Sequence, residues 1–355
     1  MTEFASRVVA WQRSHGRHDL PWQGTRDPYR IWLSEVMLQQ TQVATVVPYY
    51  LRFIARFPDV HALALASLDE VLALWSGLGY YSRARNLHRA ARFIVAGRRG
   101  EFPSEHDEVL RLPGVGRSTA AAILAFSRGE RRAILDGNVK RVLARVFAVR
   151  GYPGDRRVES ELWRHADALL PAEGIEAYTQ GLMDLGARIC TRTQPACALC
   201  PVASVCAAHA AGREESYPEP RPAKRLSERE TLMLMFLDRG SVLFEKRPPT
   251  GIWGGLWSLP EADVDADPEK VCRDRFAVSP MGVRRLEPVR HGFTHFRLTI
   301  YPAAVQLAGI GPKVEESSAI WLRPEDAAKV ALPAPLKPLL ASLHTLRLTA
   351  NVCAA

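Results

Sequence analysis

Cys190, Cys197, Cys200 and Cys206 fall in one short stretch with the spacing C-x6-C-x2-C-x5-C. Four soft thiolates so close in sequence oblige the chain to fold around a single metal centre, either a tetrahedral zinc or a 4Fe-4S cluster. Zinc modules usually separate two C-x2-C pairs by a longer finger. Here one C-x2-C is wrapped by two outer cysteines, which favours the cluster. Cys272 and Cys353 lie far from this stretch, so the cysteines do not form a fold-wide disulfide framework.

The loop of residues 190–206 closes a helical half. Apolar residues recur at helical spacing over 28–57, 68–75, 83–97, 118–127, 138–149, 158–170 and 175–189, with Gly- or Pro-containing turns between. On the 28–57 segment Ile31, Trp32, Leu38, Gln39 and Gln42 lie three, four or seven positions from Glu35 and are expected on its face. Residues 207–229 turn to Ala, Glu, Arg, Lys and closely spaced prolines, the composition of a linker. Beyond it, strand-like runs at 231–237 and 242–246 flank Asp238-Arg239-Gly240-Ser241, and Phe296, Leu298 and Ile300 alternate with polar neighbours. The expectation is multidomain: an all-α domain over 1–206, a linker over 207–229, and an α+β domain over 230–346.

At 355 residues the chain is long enough for two such cores. Its net charge of +9 favours a polyanionic partner, although a basic enzyme with a small substrate has the same balance. No run of 18 apolar residues occurs, and the first twenty residues mix Arg, His and Glu with Val and Ala. The expectation is a cytoplasmic chain without export signal or membrane anchor.

Two further patterns carry chemistry. Leu112-Pro113-Gly114-Val115-Gly116-Arg117-Ser118-Thr119 leads into an alanine-rich helix. Gly114 and Gly116 permit a tight turn, and the helix start offers unpaired amides to a phosphate. An ordinary helix–helix turn has the same local look. Glu35 and Asp136 form the other pattern. Glu35 sits mid-helix among apolar residues, where desolvation raises a carboxyl pKa, as a general acid requires. Asp136 precedes a helix, where dipole and amides favour the ionised form. Two carboxyls pushed apart in this way suit cleavage of a glycosidic bond through a cationic sugar. Each alone also reads as a helix cap or a structural hydrogen bond.

Ser34 to Val43, Gly77-Leu78-Gly79-Tyr80-Tyr81, Leu112 to Ser118, Leu135-Asp136-Gly137-Asn138-Val139 and the cysteine spacing together resemble the MutY-type adenine DNA glycosylases. These belong to the endonuclease III or helix-hairpin-helix superfamily. The resemblance runs from Trp11 to Leu346. It implies a base-excision-repair enzyme that removes adenine mispaired with 8-oxoguanine or G in double-stranded DNA, acting as a monomer with one 4Fe-4S cluster on the four cysteines. By the resemblance Glu35 protonates the adenine ring at N7, Asp136 steadies the oxocarbenium-like sugar and Asn138 supports it. The base must leave the duplex for this. Gln40 and Tyr80 match residues that wedge into the stack around the 8-oxoguanine, Leu78 is a further DNA-binding candidate, and Trp22 and Gln180 match residues of the adenine pocket. Bifunctional relatives carry a Schiff-base lysine where this chain has Ser118, so the resemblance implies a monofunctional enzyme that leaves an abasic site.

The C-terminal half resembles a Nudix-like module through the stretch Arg247 to Trp257. After Glu261, Glu269-Lys270-Val271-Cys272-Arg273-Asp274-Arg275 stands where a Nudix hydrolase carries its metal-binding carboxylates. This implies a domain that reads DNA, with Phe293-Thr294-His295 matching the loop that recognises 8-oxoguanine. Rival readings are an endonuclease III-like glycosylase for oxidised pyrimidines, a non-catalytic iron–sulfur DNA-binding protein and a Nudix pyrophosphatase with a helical appendage.

Overall fold

The computed structural model describes residues 2–223, 226–277, 280–307 and 318–343. Contacts divide the chain into two compact units, Met1–Leu65 with Asn86–Ala223, and Ala66–Arg85 with Lys224–Ala355. The first half is helical: α1 (Glu3–His15), α2 (Pro28–Leu38), α3 (Val43–Arg56), α4 (Val60–Leu65), α5 (Leu68–Trp75), α6 (Ser82–Arg98), α7 (His106–Leu110), α8 (Arg117–Arg128), α9 (Gly137–Val146), α10 (Arg156–Ala168), α11 (Ile175–Asp184) and α12 (Ala207–Ala210).

The expected 28–57 helix is two helices. The Asp27 side chain accepts from the Tyr29 amide at 2.9 Å and Pro28 fills the first turn, so α2 starts as a well-capped helix. It stops at Leu38 because Gln40 takes a left-handed conformation, φ 58°. Gln42 becomes the N-cap of α3 and so leaves the face of Glu35. Neither glycine nor proline marks this break, and the apolar periodicity runs across it.

One core of the helical unit joins Val8 of α1, Ala121 and Ala125 of α8, Val139 and Leu143 of α9, Leu162 of α10 and Leu182 of α11. Each such buried Val or Leu side chain contributes about 1.5–3 kcal/mol. Residues 207–223 hold α12, a 3-10 turn over Glu214–Ser216 and irregular chain, and 224 and 225 lie outside the described residues.

The second unit is a mixed sheet of β1 (Ser227–Asp238), β2 (Ser241–Lys246), β3 (Trp257–Ser258), β4 (Glu261–Ala262), β5 (Pro280–Arg285), β6 (Val289–Gly292), β7 (Phe296–Leu307) and β8 (Ala319–Leu322), with α13 (Pro268–Phe276) and α14 (Leu336–Ser342). The expected hairpin forms, with Asp238 opposite Ser241 and both Arg239 and Gly240 at positive φ, as its two-residue turn demands. β1 and β7 run parallel in the middle, from Ser227 opposite Phe296 to Leu237 opposite Gln306. Alternation then divides β1: Met233 and Met235 face a core capped by Leu336 and Leu340 of α14, and Leu232, Leu234 and Phe236 face one that includes Cys272 of α13. Residues 344–346, the end of the expected second domain, lie outside the described residues.

The segment Ala66–Arg85 packs within this second unit. Asp69 pairs with Lys246 at 2.7 Å, the Arg85 guanidinium donates to the Gly254 carbonyl at 2.7 Å, and the Tyr81 hydroxyl donates to the Leu332 carbonyl at 3.4 Å.

Candidate active site

Glu35 lies on α2 between the buried Ser34 and Val36. Burial pushes its carboxyl up to about 8, and the field of Asp136 adds to the rise. Asp136 is the N-cap of α9, with its Oδ1 accepting from the Val139 amide at 2.8 Å. Here the expectation of a carboxyl held toward its charged form needs correction. The amides of Val139 and Asn138 and the charges of Arg141 and Lys140 all favour the ionised form, yet burial outweighs them and the pKa is raised. The two carboxyls still differ in kind: Asp136 has amides and cations that stabilise a charge, whereas nothing of that sort offsets the burial of Glu35. Of one proton shared between them, Glu35 is the natural holder and Asp136 the natural anion.

Asn138, in the first turn of α9, accepts from Arg141 Nη2 at 2.8 Å through its Oδ1. The same guanidinium donates to the Gly186 carbonyl at 2.7 Å and, through Nε, to the Cys190 carbonyl at 2.7 Å. Gly186 is required here by close approach, since a Cβ would stand 2.5 Å from Asn138 Cβ. Arg141 thus ties the turn beside Asp136 to the first cysteine of the four.

Those four thiols line one partly open cavity, together with Arg145 and Leu185. Burial pushes the Cys197 and Cys200 thiols up to about 11 and raises Cys206, with neighbouring thiols adding to each rise. A common cation is what lets such a set ionise. Arg145, 2% exposed, donates to Cys190 Sγ at 3.2 Å and to the carbonyls of Thr191, Arg192, Glu214 and Tyr217. Four thiols converging on one site are a donor set that suits a metal centre, whether a tetrahedral ion or a multi-iron cluster. Cys197 also groups with His209 and Glu214, but these two already pair with each other at 2.6 Å.

The hairpin sits between α7 and α8. Gly114 has φ 81°, which a side chain would strain, and a Cβ there would meet Asn86 at 2.8 Å. Gly116 is the N-cap of α8, exposed and without a side-chain cap, and a Cβ there would meet nothing within 4 Å. Ser118, in the first turn of α8, accepts from the Leu135 amide at 2.9 Å.

The remaining expected residues are dispersed. Trp22 is buried and packs edge-on to Tyr50, with ring centroids 5.3 Å apart. Gln40 is exposed in its left-handed turn. Gln180 donates to Asp184 at 2.8 Å, and Asp184, fully buried, also receives the amide and guanidinium of Arg17 at 2.7 Å each. In the second unit Tyr80 is 47% exposed at φ 48°, whereas Leu78 is buried, so Tyr80 is the side chain of that loop which reaches solvent. Phe293, Thr294 and His295 form the turn between β6 and β7. Phe293 stacks on Phe296 at 4.3 Å, and Thr294 and His295 are exposed. Sequence reasoning missed Arg141, Arg145, Asp184 and Arg17. The first three stand one or two helical turns from Asn138 or one turn from Gln180, a spacing that could have found them.

Residues 33–167 match the HhH-GPD superfamily base excision DNA repair protein family, and residues 231–342 match the NUDIX domain family. The adenine DNA glycosylase of Buchnera aphidicola subsp. Acyrthosiphon pisum (strain APS) is 34% identical over 338 residues, which cover 95% of this chain and 96% of the relative. The chain belongs to the adenine DNA glycosylase family. The Homo sapiens adenine DNA glycosylase is 32% identical over 402 residues, covering 95% of this chain and 73% of that protein. Among solved structures, a thermostable thymine-DNA glycosylase aligns at 30% identity and TM-score 0.54, over 59% of this chain and 95% of its own. An endonuclease III bound non-covalently to DNA aligns at 23% identity and TM-score 0.50, over 60% of this chain and 98% of its own, and shares the fold. The architecture is thus a helix-hairpin-helix glycosylase domain followed by a Nudix-like domain, as the sequence led one to expect.

Proposed function

We propose that this member of the adenine DNA glycosylase family removes adenine opposite 8-oxoguanine or guanine in duplex DNA by hydrolysis, and leaves the strand intact. The observation that carries the reading is a half-buried Glu35 set among the buried residues of α2, its carboxyl pushed up to about 8, in the field of a carboxyl that caps a helix. Adenine leaves poorly as an anion. A proton from Glu35 to a ring nitrogen lets it leave neutral, and general acid catalysis of this kind contributes about 10²–10⁴-fold. The sugar then becomes cationic at its anomeric carbon. Asp136, held by the Val139 amide, supplies the facing negative charge, and Asn138 keeps the turn in shape through Arg141. Water completes the hydrolysis.

Ser118 has no amine, so no imine forms there and no strand cleavage follows. The open backbone at Gly116 and the uncapped start of α8 suit a DNA phosphate. Cys190, Cys197, Cys200 and Cys206 would hold a 4Fe-4S cluster, whose role is to organise the surrounding loop, since loss of a base transfers no electron. Trp22 and Gln180 serve the extruded adenine, Gln40 and Tyr80 the opposite base, and Phe293-Thr294-His295 the lesion. The expression of these roles is tested by adenine release from an A:8-oxoguanine duplex with strand integrity followed in the same sample. Release without nicking supports the reading, and the absence of release from cluster-loaded protein contradicts it.

A further inference from the structure

The start of α8 hydrogen-bonds to a chain neighbour of each carboxyl. Thr119 accepts from the side-chain amide of Gln39, the residue that caps the end of Glu35's helix, at 3.4 Å. Its neighbour Ser118 accepts from the Leu135 amide at 2.9 Å, one residue before Asp136. Leu135 is 4% exposed and belongs to an irregular stretch between α8 and α9, where no backbone carbonyl among the described residues accepts its N–H. A buried amide without an acceptor is costly, so the Ser118 hydroxyl sets where this stretch lies. The next residue, Asp136, is then fixed from its other side by the Val139 amide.

We propose that Ser118 is a positioning residue for Asp136, acting as a hydrogen-bond acceptor rather than as a participant in the chemistry. The proposal rests on the glycosylase reading of Asp136. It gives the serine a positive reason beyond the absence of a lysine nucleophile. Lysine offers three donors and no acceptor, so it cannot take the Leu135 amide. Serine can, and its oxygen is held at the helix start where the backbone conformation is already fixed. The choice of residue at this position therefore exchanges a reactive amine for control over the segment that carries the catalytic anion.

The test uses the full chain loaded with its cluster, in four forms: wild type, Ser118→Ala, Ser118→Thr and Ser118→Lys. Single-turnover adenine release, duplex affinity and amide hydrogen exchange at Leu135 are measured on each. Loss of one such hydrogen bond is expected to slow Ser118→Ala by roughly five- to tenfold with no matching loss of affinity, and to speed exchange at Leu135. Ser118→Thr, which keeps the acceptor, is expected to restore both rate and protection, and Ser118→Lys neither. A general loss of structure would lower affinity and cluster content as well, and threonine would not selectively repair the chemical step. Wild-type excision by Ser118→Ala, or Leu135 exchange that does not respond to it, overturns the proposal. If the wild type itself releases no adenine, the glycosylase reading falls, and Leu135 exchange still decides whether Ser118 holds the segment.

Discussion

Arg141 donates to the Oδ1 of Asn138 at 2.8 Å while its Nε donates to the carbonyl of Cys190 at 2.7 Å. One guanidinium thus spans from the turn that Asp136 caps to the cysteine loop. Burial lowers its pKa, and the Asp136 and Cys190 charges pull it back up. Arg141→Gln should shorten the reach and strand at least one of three acceptors, at about 1–3 kcal/mol each. Iron content and single-turnover excision are expected to fall together in this variant, whereas a variant that kept full iron and full rate would sever the link.

In the proposed reaction Glu35 sets the pH dependence. With its carboxyl held up to about 8, excision is expected to be maximal below that pH and to decline through it as the proton is lost. Glu35→Gln keeps the shape without the proton. It should bind duplex normally and lose about 10²–10⁴-fold in single-turnover rate. The same site has a stability signature. The folded carboxyl holds its proton at pH values where the unfolded one, near the ordinary 4.5, has lost it. The folded state therefore binds more protons between about 4.5 and 8, and stability contributed by this site falls as pH rises through that window. Melting temperatures compared across it should drop less in Glu35→Gln than in wild type.

Metal analysis checks the cysteine loop. Protein purified without oxygen is expected to hold iron and sulfide rather than zinc, and Cys197→Ala to lose them along with DNA affinity. Arg145→Ala, which removes donors to Cys190 Sγ and four carbonyls, should weaken the same loop without touching a ligand. Stoichiometric zinc without iron would replace the cluster with a structural ion.

Much of this was legible in the sequence because its signals were local. The cysteine spacing, the Gly114 turn, the Asp136 cap and the Arg239-Gly240 hairpin each need only neighbouring residues to declare themselves. The break at Gln40 was hidden, since a glutamine in the left-handed region leaves no compositional mark and apolar spacing continues past it. The upward shift of Asp136 was hidden for a different reason: capping is visible in sequence, whereas desolvation by residues distant in the chain is not. The association of Ala66–Arg85 with the sheet unit rests on pairs such as Asp69 with Lys246, 177 positions apart, which no spacing reveals.

That association yields a prediction about lesion reading. Thr294→Ala removes an exposed hydroxyl from the β6–β7 turn and should cut the preference for A:8-oxoguanine over A:G, by up to about 1–3 kcal/mol. Deleting residues from 225 onward should abolish that preference more fully. It should also speed hydrogen exchange in α5, where Asp69 loses Lys246, and in the first turn of α6, where Arg85 loses the Gly254 carbonyl. Unchanged discrimination in the folded, cluster-loaded truncation would move lesion reading to Tyr80 and its loop.

The most direct measurement follows base and backbone together on one A:8-oxoguanine duplex, in single turnover, with the cluster-loaded full chain. The account predicts free adenine at a rate abolished by Glu35→Gln, on a strand that breaks only when alkali is added afterwards. Strand breakage without alkali, or adenine release that survives Glu35→Gln, would contradict it.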